Sequence, residues 1–254
     1  DMTQDLADWR RPHYAPGARP LLFYAVFGAP ANGLELSRKR HRCDGVPAGI
    51  TLSGYDATQH GEWLDSLRSG FAWDELVRDD PVLARRIAGA ETCVVLRGEP
   101  ADDSTLNYLR DAIGVVQAMV EGGAVAVHDP QRLRWWSALE WRARLFEPAS
   151  LQPHEHVVIL ASPMDDGTQW FHTRGMRQFG RPDLSMHGVL PAQHDAVIEM
   201  FNRFIEMQAG GALVAEGQAI ALPGLPDGLA CRHRGSVDDL DFNNVHLAIE
   251  RGAG

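Results

Sequence analysis

"TCVVLRGEPADDSTLNYLRDAIGVVQAMVEGGAVAVHDP", residues 92–130, decides the fold class. It opens on "TCVVLRG", a short apolar run rich in β-branched residues, which predicts a buried strand. Leu106, Leu109, Ile113, Val116 and Val120 then recur at three- and four-residue steps, the spacing of one helical face. Ser104 is placed to cap the amino end of that helix, and Gly122 with Gly123 to end it. "AVAVHDP" follows as a second strand and a turn. Strand, helix and strand of these lengths make a βαβ-sized unit.

Outward from this unit the text keeps mixing the two periods. Upstream, "LLFYAVF" (21–27) predicts a buried strand, and residues 35–54 a hairpin turned at "GVPAG". Trp63, Leu64 and Leu67 predict a helix near 58–69, and "DPVLARRIAG" another, with Pro81 in its first turn and Gly89 past its end. Downstream, "RLRWWSALEWRARLF" (132–146) predicts a helix carrying Trp135, Trp136 and Trp141. "HVVILAS", "WFHT" and "DLSMHGV" predict strands, with Asp-Gly turning the chain between the first two. A long helix opened by Pro191 and stopped by Gly210 and Gly211 uses Val197, Met200, Phe201, Phe204 and Met207 as its apolar face. "QAIAL", "GLACRHR" and "VHLAIE" close the chain as strands. The expected fold is α+β: mixed or antiparallel sheets with long amphipathic helices packed on them, in two similar-looking α/β halves.

A chain of 254 residues is long enough for a sizeable core in one large domain or two small ones. No Ser- or Gly-rich linker marks the middle. The expected organisation is therefore a polar arm at 1–20 and a single composite domain over 21–254. Hydrophobic content of 44% with 23% charged residues excludes wholesale disorder. With 24 basic and 34 acidic side chains the net charge is −10, a field that repels phosphate backbones and anionic lipid. Nucleic acid and membrane are thus not expected as partners; a basic partner protein is compatible with this charge, which solubility alone also explains. Cys43, Cys93 and Cys231 are odd in number and far apart, the pattern of reduced thiols in a cytoplasmic protein. No apolar run is long enough to span a bilayer, and the first twenty residues lack a signal-peptide core.

The densest motif is "WFHTRGMRQFGRPDLSM", residues 170–186. Read structurally, Thr173 caps a short helical turn, Met176 and Phe179 bury one side of it, Gly180 ends it and Pro182 prevents continuation. Asp183 then pairs with Arg174 or Arg177. Read functionally, His172, Arg174, Arg177, Arg181 and Asp183 crowd one connection. Arginines near a helix amino end favour an anion, and His172 is a candidate acid or base near neutral pH. His172, Arg174, Arg177 and Asp183 are the candidate ligand or anion site. The structural reading needs no ligand and is preferred, because no partner nucleophile stands at a telling spacing.

Residues His172, Thr173, Gly175, Met176, Phe179, Gly180, Pro182, Asp183 and Leu184 resemble the H-T-x-G-(M/L)-x-x-F-G-x-P-(D/E)-L stretch of an uncharacterised bacterial domain-of-unknown-function family. The resemblance implies a fold relationship to proteins of about this size. It implies no reaction. Ser185 stands where that stretch carries an acidic residue.

Two metal patterns are incomplete. His154 and His156 lie two apart at a strand entry and share a face, without a third ligand. From Asp239, oxygen-bearing side chains fall at the first, third, fifth and twelfth positions (Asp239, Asp241, Asn243, Glu250) of a calcium loop, but Asn244 replaces its glycine and the flanks read as strands. No metal and no cofactor are expected. Phosphate-binding glycine loops, nucleophile elbows and Cys pairs do not occur. The expected function is a non-enzymatic protein-binding domain. The alternative is a small-molecule hydrolase or transferase using the His172, Arg174 and Arg177 region.

Overall fold

The computed structural model describes residues 5–30 and 32–252. The chain is α+β, and its contacts group into two compact units. The first takes the residues up to Arg10, Leu21–Ala101 and Thr105–Gln152; the second takes Arg11–Pro20, Asp102–Ser104 and Pro153–Gly254. The N-terminal arm is thus divided between them. Among the described residues no helix is long and apolar enough to cross a membrane.

The first unit runs β1 (Leu22–Phe27), α1 (Arg38–His41), β2 (Ile50–Asp56), α2 (Ala57–Leu67), α3 (Phe71–Asp79), α4 (Pro81–Ala88), β3 (Thr92–Gly98), α5 (Asn107–Glu121), β4 (Ala126–Asp129), β5 (Arg134–Ser137) and α6 (Ala138–Glu140). Its sheet has the order β2-β3-β1-β4-β5, each neighbouring pair antiparallel. β3 and β4 both run against β1, which lies between them. The strand-helix-strand unit of 92–130 is therefore split by a third strand. Phe27, Cys93, Val95, Ala126 and Trp135 point to one side and pack with Leu64, Leu83 and Ile87 of α2 and α4. The alternate set Leu22, Tyr24, Val26, Leu96, Val127 and Trp136 is buried as well, so both faces of the sheet are covered.

Three expectations for this unit fail, each for a physical reason. Residues 35–54 form no hairpin: Ser37 caps the single turn of α1, and β2 spends its whole length pairing with β3. Ser104 does not cap α5. Leu106 takes that position, and its N–H donates to the carbonyl of Trp9 at 2.7 Å, a long-range closure invisible to local pattern. Residues 132–146 are not one helix. Arg134–Ser137 pairs with β4, which sends Trp135 and Trp136 to opposite faces. Helix begins only after Ser137, whose hydroxyl accepts from the Glu140 N–H while the Glu140 carboxylate accepts from the Ser137 N–H, and continues as a wide π turn over Trp141–Phe146.

Helix α5 is buried all round from Tyr108 to Met119. Gly114 permits this, since a Cβ there would lie 2.2 Å from the carbonyl oxygen of His41.

The second unit comprises β6 (Val158–Pro163), β7 (Gln169–Arg174), β8 (Asp183–Val189), α7 (His194–Ala209), β9 (Ala219–Ile220), β10 (Leu229–Arg234) and β11 (His246–Arg251). The sheet order is β6-β7-β8-β11-β10-β9, and only the β8–β11 pair is parallel. Helix α7 lays Val197, Met200, Phe201 and Phe204 on Phe171, Leu184, Met186, Leu247 and Ile249. Met207, expected on the same face, is largely exposed.

The carboxyl end of α7 is closed by charge. Arg11 donates to the carbonyls of Ala209 (3.1 Å) and Phe179 (2.9 Å), and Arg181 to those of Gly211 (2.9 Å), Ala212 (3.2 Å) and Ala15 (2.8 Å). Both side chains are fully buried and share the carboxylate of Asp102, at 2.8 and 3.3 Å. The cation left uncompensated by Asp102 sits where the helix carries its negative partial charge.

Candidate functional site

In the connection 170–186, β7 ends at Arg174, Gly175 turns the chain at φ 117°, and Met176–Phe179 forms a 3-10 turn. Gly180 closes it at φ 65°, and β8 begins at Asp183. Met176 and Phe179 are buried together. Thr173 is not the cap. Its hydroxyl donates to Asp183 Oδ1 at 2.8 Å and accepts from the Leu184 N–H at 2.9 Å.

Asp183 pairs with neither arginine. Besides Thr173 it accepts from the Met176 N–H (3.2 Å) and from Asn244 Nδ2 (2.9 Å). Burial pushes its carboxyl up to about 7, against the pull of these donors and the charge of Arg174. Arg177 donates to the carbonyl of Asn243 at 3.1 Å. Arg181 turns inward to α7. The connection therefore holds the second unit together with most of the groups that had suggested an anion site. His172 and half-buried Arg174 lie on the side of the sheet opposite α7.

His172 is 6% exposed and stacks on Trp170 with centroids 3.9 Å apart. A β-bulge opposite Trp170 aims that indole, whose N–H donates to Ser185 Oγ at 2.9 Å. His187 stacks on Trp170 as well, at 5.1 Å and 6° between planes. Phe242 stands edge-on to His172 and stacks on His246 at 4.3 Å. Burial first, then the charge of Arg174, brings the His172 imidazole down to about 4. Its Nδ1 is buried with no partner in hydrogen-bond geometry, the Trp170 backbone giving only a weak attraction. Such a ring is neutral at pH 7 and shielded from a substrate by its aromatic neighbours.

The two metal patterns do not assemble. His156 is buried against Gln178, while His154 is exposed beside Glu206, so the pair shares no face. Asp239 folds back on the N–H groups of Asp241 and Phe242, Asn243 takes the left-handed conformation at φ 50°, and Glu250 pairs with Arg234 on a strand. Among the described residues no group of three or more His, Cys, Asp or Glu is placed to hold a metal ion.

A cavity of about 490 Å³ in the first unit is a site that the sequence did not disclose. Ala72, Glu75, Leu76 and Asp79 come from α3, Asp80 and Leu83 from the start of α4, Trp135 from β5 and Glu140 from α6. Trp135 is 4% exposed, stacks on His128 at 4.1 Å, meets Trp73 edge-on at 5.3 Å, and has no partner for its indole N–H. The carboxylates are partly answered: Asp79 and Glu75 by Arg78, Glu140 by Arg134, and Asp80 by the Leu83 N–H it caps. Four carboxylates against two arginines leave the cavity acidic. Phe71, Val77, Val82 and Leu139, 45–77% exposed, are each the chain neighbour of a lining residue. The helices that wall the cavity thus also carry exposed apolar side chains.

Protein-family models, curated proteins and solved structures offer no match to this chain. The resemblance of residues 172–184 stays local, and no family follows from it.

Proposed function

We propose that the chain is a protein-binding module whose first unit receives a basic side chain of a partner, flanked by apolar residues. The observation that carries this reading is the acidic cavity walled by Trp135, on helices that also expose Phe71, Val77, Val82 and Leu139. Carboxylates attract the cation and an indole favours it further. Exposed apolar side chains around such a pocket supply contact area on docking. The net charge of −10 steers a basic partner toward this surface. A hydrolase or transferase at His172 has less support, since that ring is buried beneath its neighbours and does not line the cavity adjoining His187.

The test is calorimetric titration with a synthetic peptide carrying one arginine between leucines, and with its glutamate twin. The arginine peptide is expected to bind and to weaken as salt is raised. Replacing Glu75→Gln and Asp79→Asn together is expected to weaken it about tenfold, roughly 1.4 kcal/mol. Equal binding of the two peptides, or indifference to the double substitution, overturns the proposal.

A further inference from the structure

β8 and β11 pair over three positions only, His246 with Asp183, Leu247 with Leu184 and Ala248 with Ser185. Both strands run on, to Val189 and to Arg251, without further pairing to each other. The one parallel junction of the sheet therefore opens toward its carboxyl ends, and the peptide edges that would have continued the ladder border a gap. A cavity of about 390 Å³ lies there, lined among others by Ser185, His187, Gly188, Pro226, Glu250 and Arg251. A Cβ added at Gly188 would meet nothing within 4 Å, which marks open space beside the strand. His187 is exposed and is backed by the parallel indole of Trp170, itself backed by His172.

We infer that the second unit binds a planar nitrogen heterocycle of nucleobase size in this gap, stacked on His187. Three observations converge on that chemistry. The volume suits a ring-sized ligand, and the carboxyl end of parallel strands at a change of direction is where open sheets form crevices. Unladdered peptide groups present donors and acceptors in one plane, which match the edge of a planar heterocycle and not a rounded apolar ligand. His187 extends a pre-stacked set of rings, so an added aromatic ligand need not order the platform first. The ligand is a neutral ring: Glu250 of the lining pairs with Arg234, and the single arginine there, Arg251, makes no cation cluster for a phosphate. The overall acidity that repels a nucleic-acid backbone does not oppose an uncharged base.

The experiment titrates the whole chain with adenosine, guanosine, cytidine and uridine, each also as its 5′-monophosphate, following tryptophan fluorescence and calorimetric heat. At least one nucleoside is expected to saturate with a Kd in the range of about 10 μM to 1 mM. Its monophosphate is expected to bind no tighter. His187→Ala should weaken it about tenfold or more, and His187→Phe should retain it, since a ring without imidazole chemistry still stacks. Ala248→Leu, which fills the gap from the β11 side, should abolish it while the melting temperature is kept. Failure of all four nucleosides to saturate at about 5 mM overturns the inference, a range well above such a Kd. So does binding that survives His187→Ala. The arginine-peptide titration reads the first unit, so either proposal can fail without the other.

Discussion

The sheet of the first unit buries both faces, whereas the sheet of the second buries one face under α7 and lays histidines and a tryptophan on the other. The difference follows from the strands. β1 and β3 read as nearly continuous apolar runs because apolar side chains meet them on both faces; β7 and β8 alternate Phe171 and Met186 with His172 and Ser185 because their other face is covered by stacked rings and hydrogen bonds. Both units also bury charge, Arg110 against Asp111 in the first and Arg11 and Arg181 against Asp102 in the second. What a charged residue does in each is then set by which side of its element it leaves.

The largest test of that contrast lies in the second unit. Arg181→Ala should cost about 3–5 kcal/mol, since it strips Asp102 of one partner and orphans the carbonyls that close α7. Arg174→Ala, in the same connection but facing away from the core, should cost about 0–1 kcal/mol. Chemical denaturation of both variants measures this. Equal losses would erase the distinction between inward and outward arginines.

The next effect is of order 3 kcal/mol and runs with pH in opposite directions for different groups. Burial brings His128 of the first unit down to about 4 from an ordinary 6.5. The unfolded chain then holds more protons between those values, so this contribution is present above pH 6.5 and lost as pH falls through about 4. Asp183 of the second unit is pushed up to about 7 from 3.8, so its contribution is complete below 3.8 and lost as pH rises through about 7. His172, at about 4, behaves as His128 does. Amide hydrogen exchange resolved by unit should therefore find the first unit weakening in acid, and the second nearly level over the same range. His128→Gln should flatten the first profile. Asp183→Asn should uncover in the second the acid loss that His172 causes, and an unchanged profile would show that the carboxyl is charged in the fold.

The smallest effect sharpens the turn itself. Gly180→Ala should cost about 1–2 kcal/mol, because Gly180 sits at φ 65° and its Cβ would fall 2.2 Å from the carbonyl oxygen of Ala18. Gly188→Ala, at φ 67° but with open space around it, should cost less, about 1 kcal/mol of backbone strain alone. Thermal melts that rank the two in the other order would break this account of the motif.

What was legible in the chain was whatever local spacing controls. β1, β3, α5 and α7 follow from apolar period, and Gly180 from its place after a buried turn. Trp135 and Trp136 misled because adjacent tryptophans satisfy a helical count as easily as an alternating strand. Leu106 is capped by Trp9, and α7 by Arg11, partners 97 and about 200 positions away that no window reaches. The acidic cavity gathers α3, α4, β5 and α6, each contributing ordinary surface residues whose spacing carries no signature. His172 was conspicuous for the opposite reason: a dense cluster of charges turned out to be hydrogen bonds and burial.

The discontinuous course of the second unit also sets an order of events on the ribosome. Arg11 is synthesised long before the carbonyls of Gln208 and Ala209 that it closes. At a translation rate of about 5–20 residues per second, Arg11 waits on the order of 10–40 seconds for its partners. Through that interval the nascent chain carries an arginine-bearing segment without its helix-end partners, and the second unit closes only once α7 has been made. A fragment that starts after Gln152 would therefore emerge with α7 unsealed, and adding residues 11–20 back as a separate peptide is the natural way to complete it.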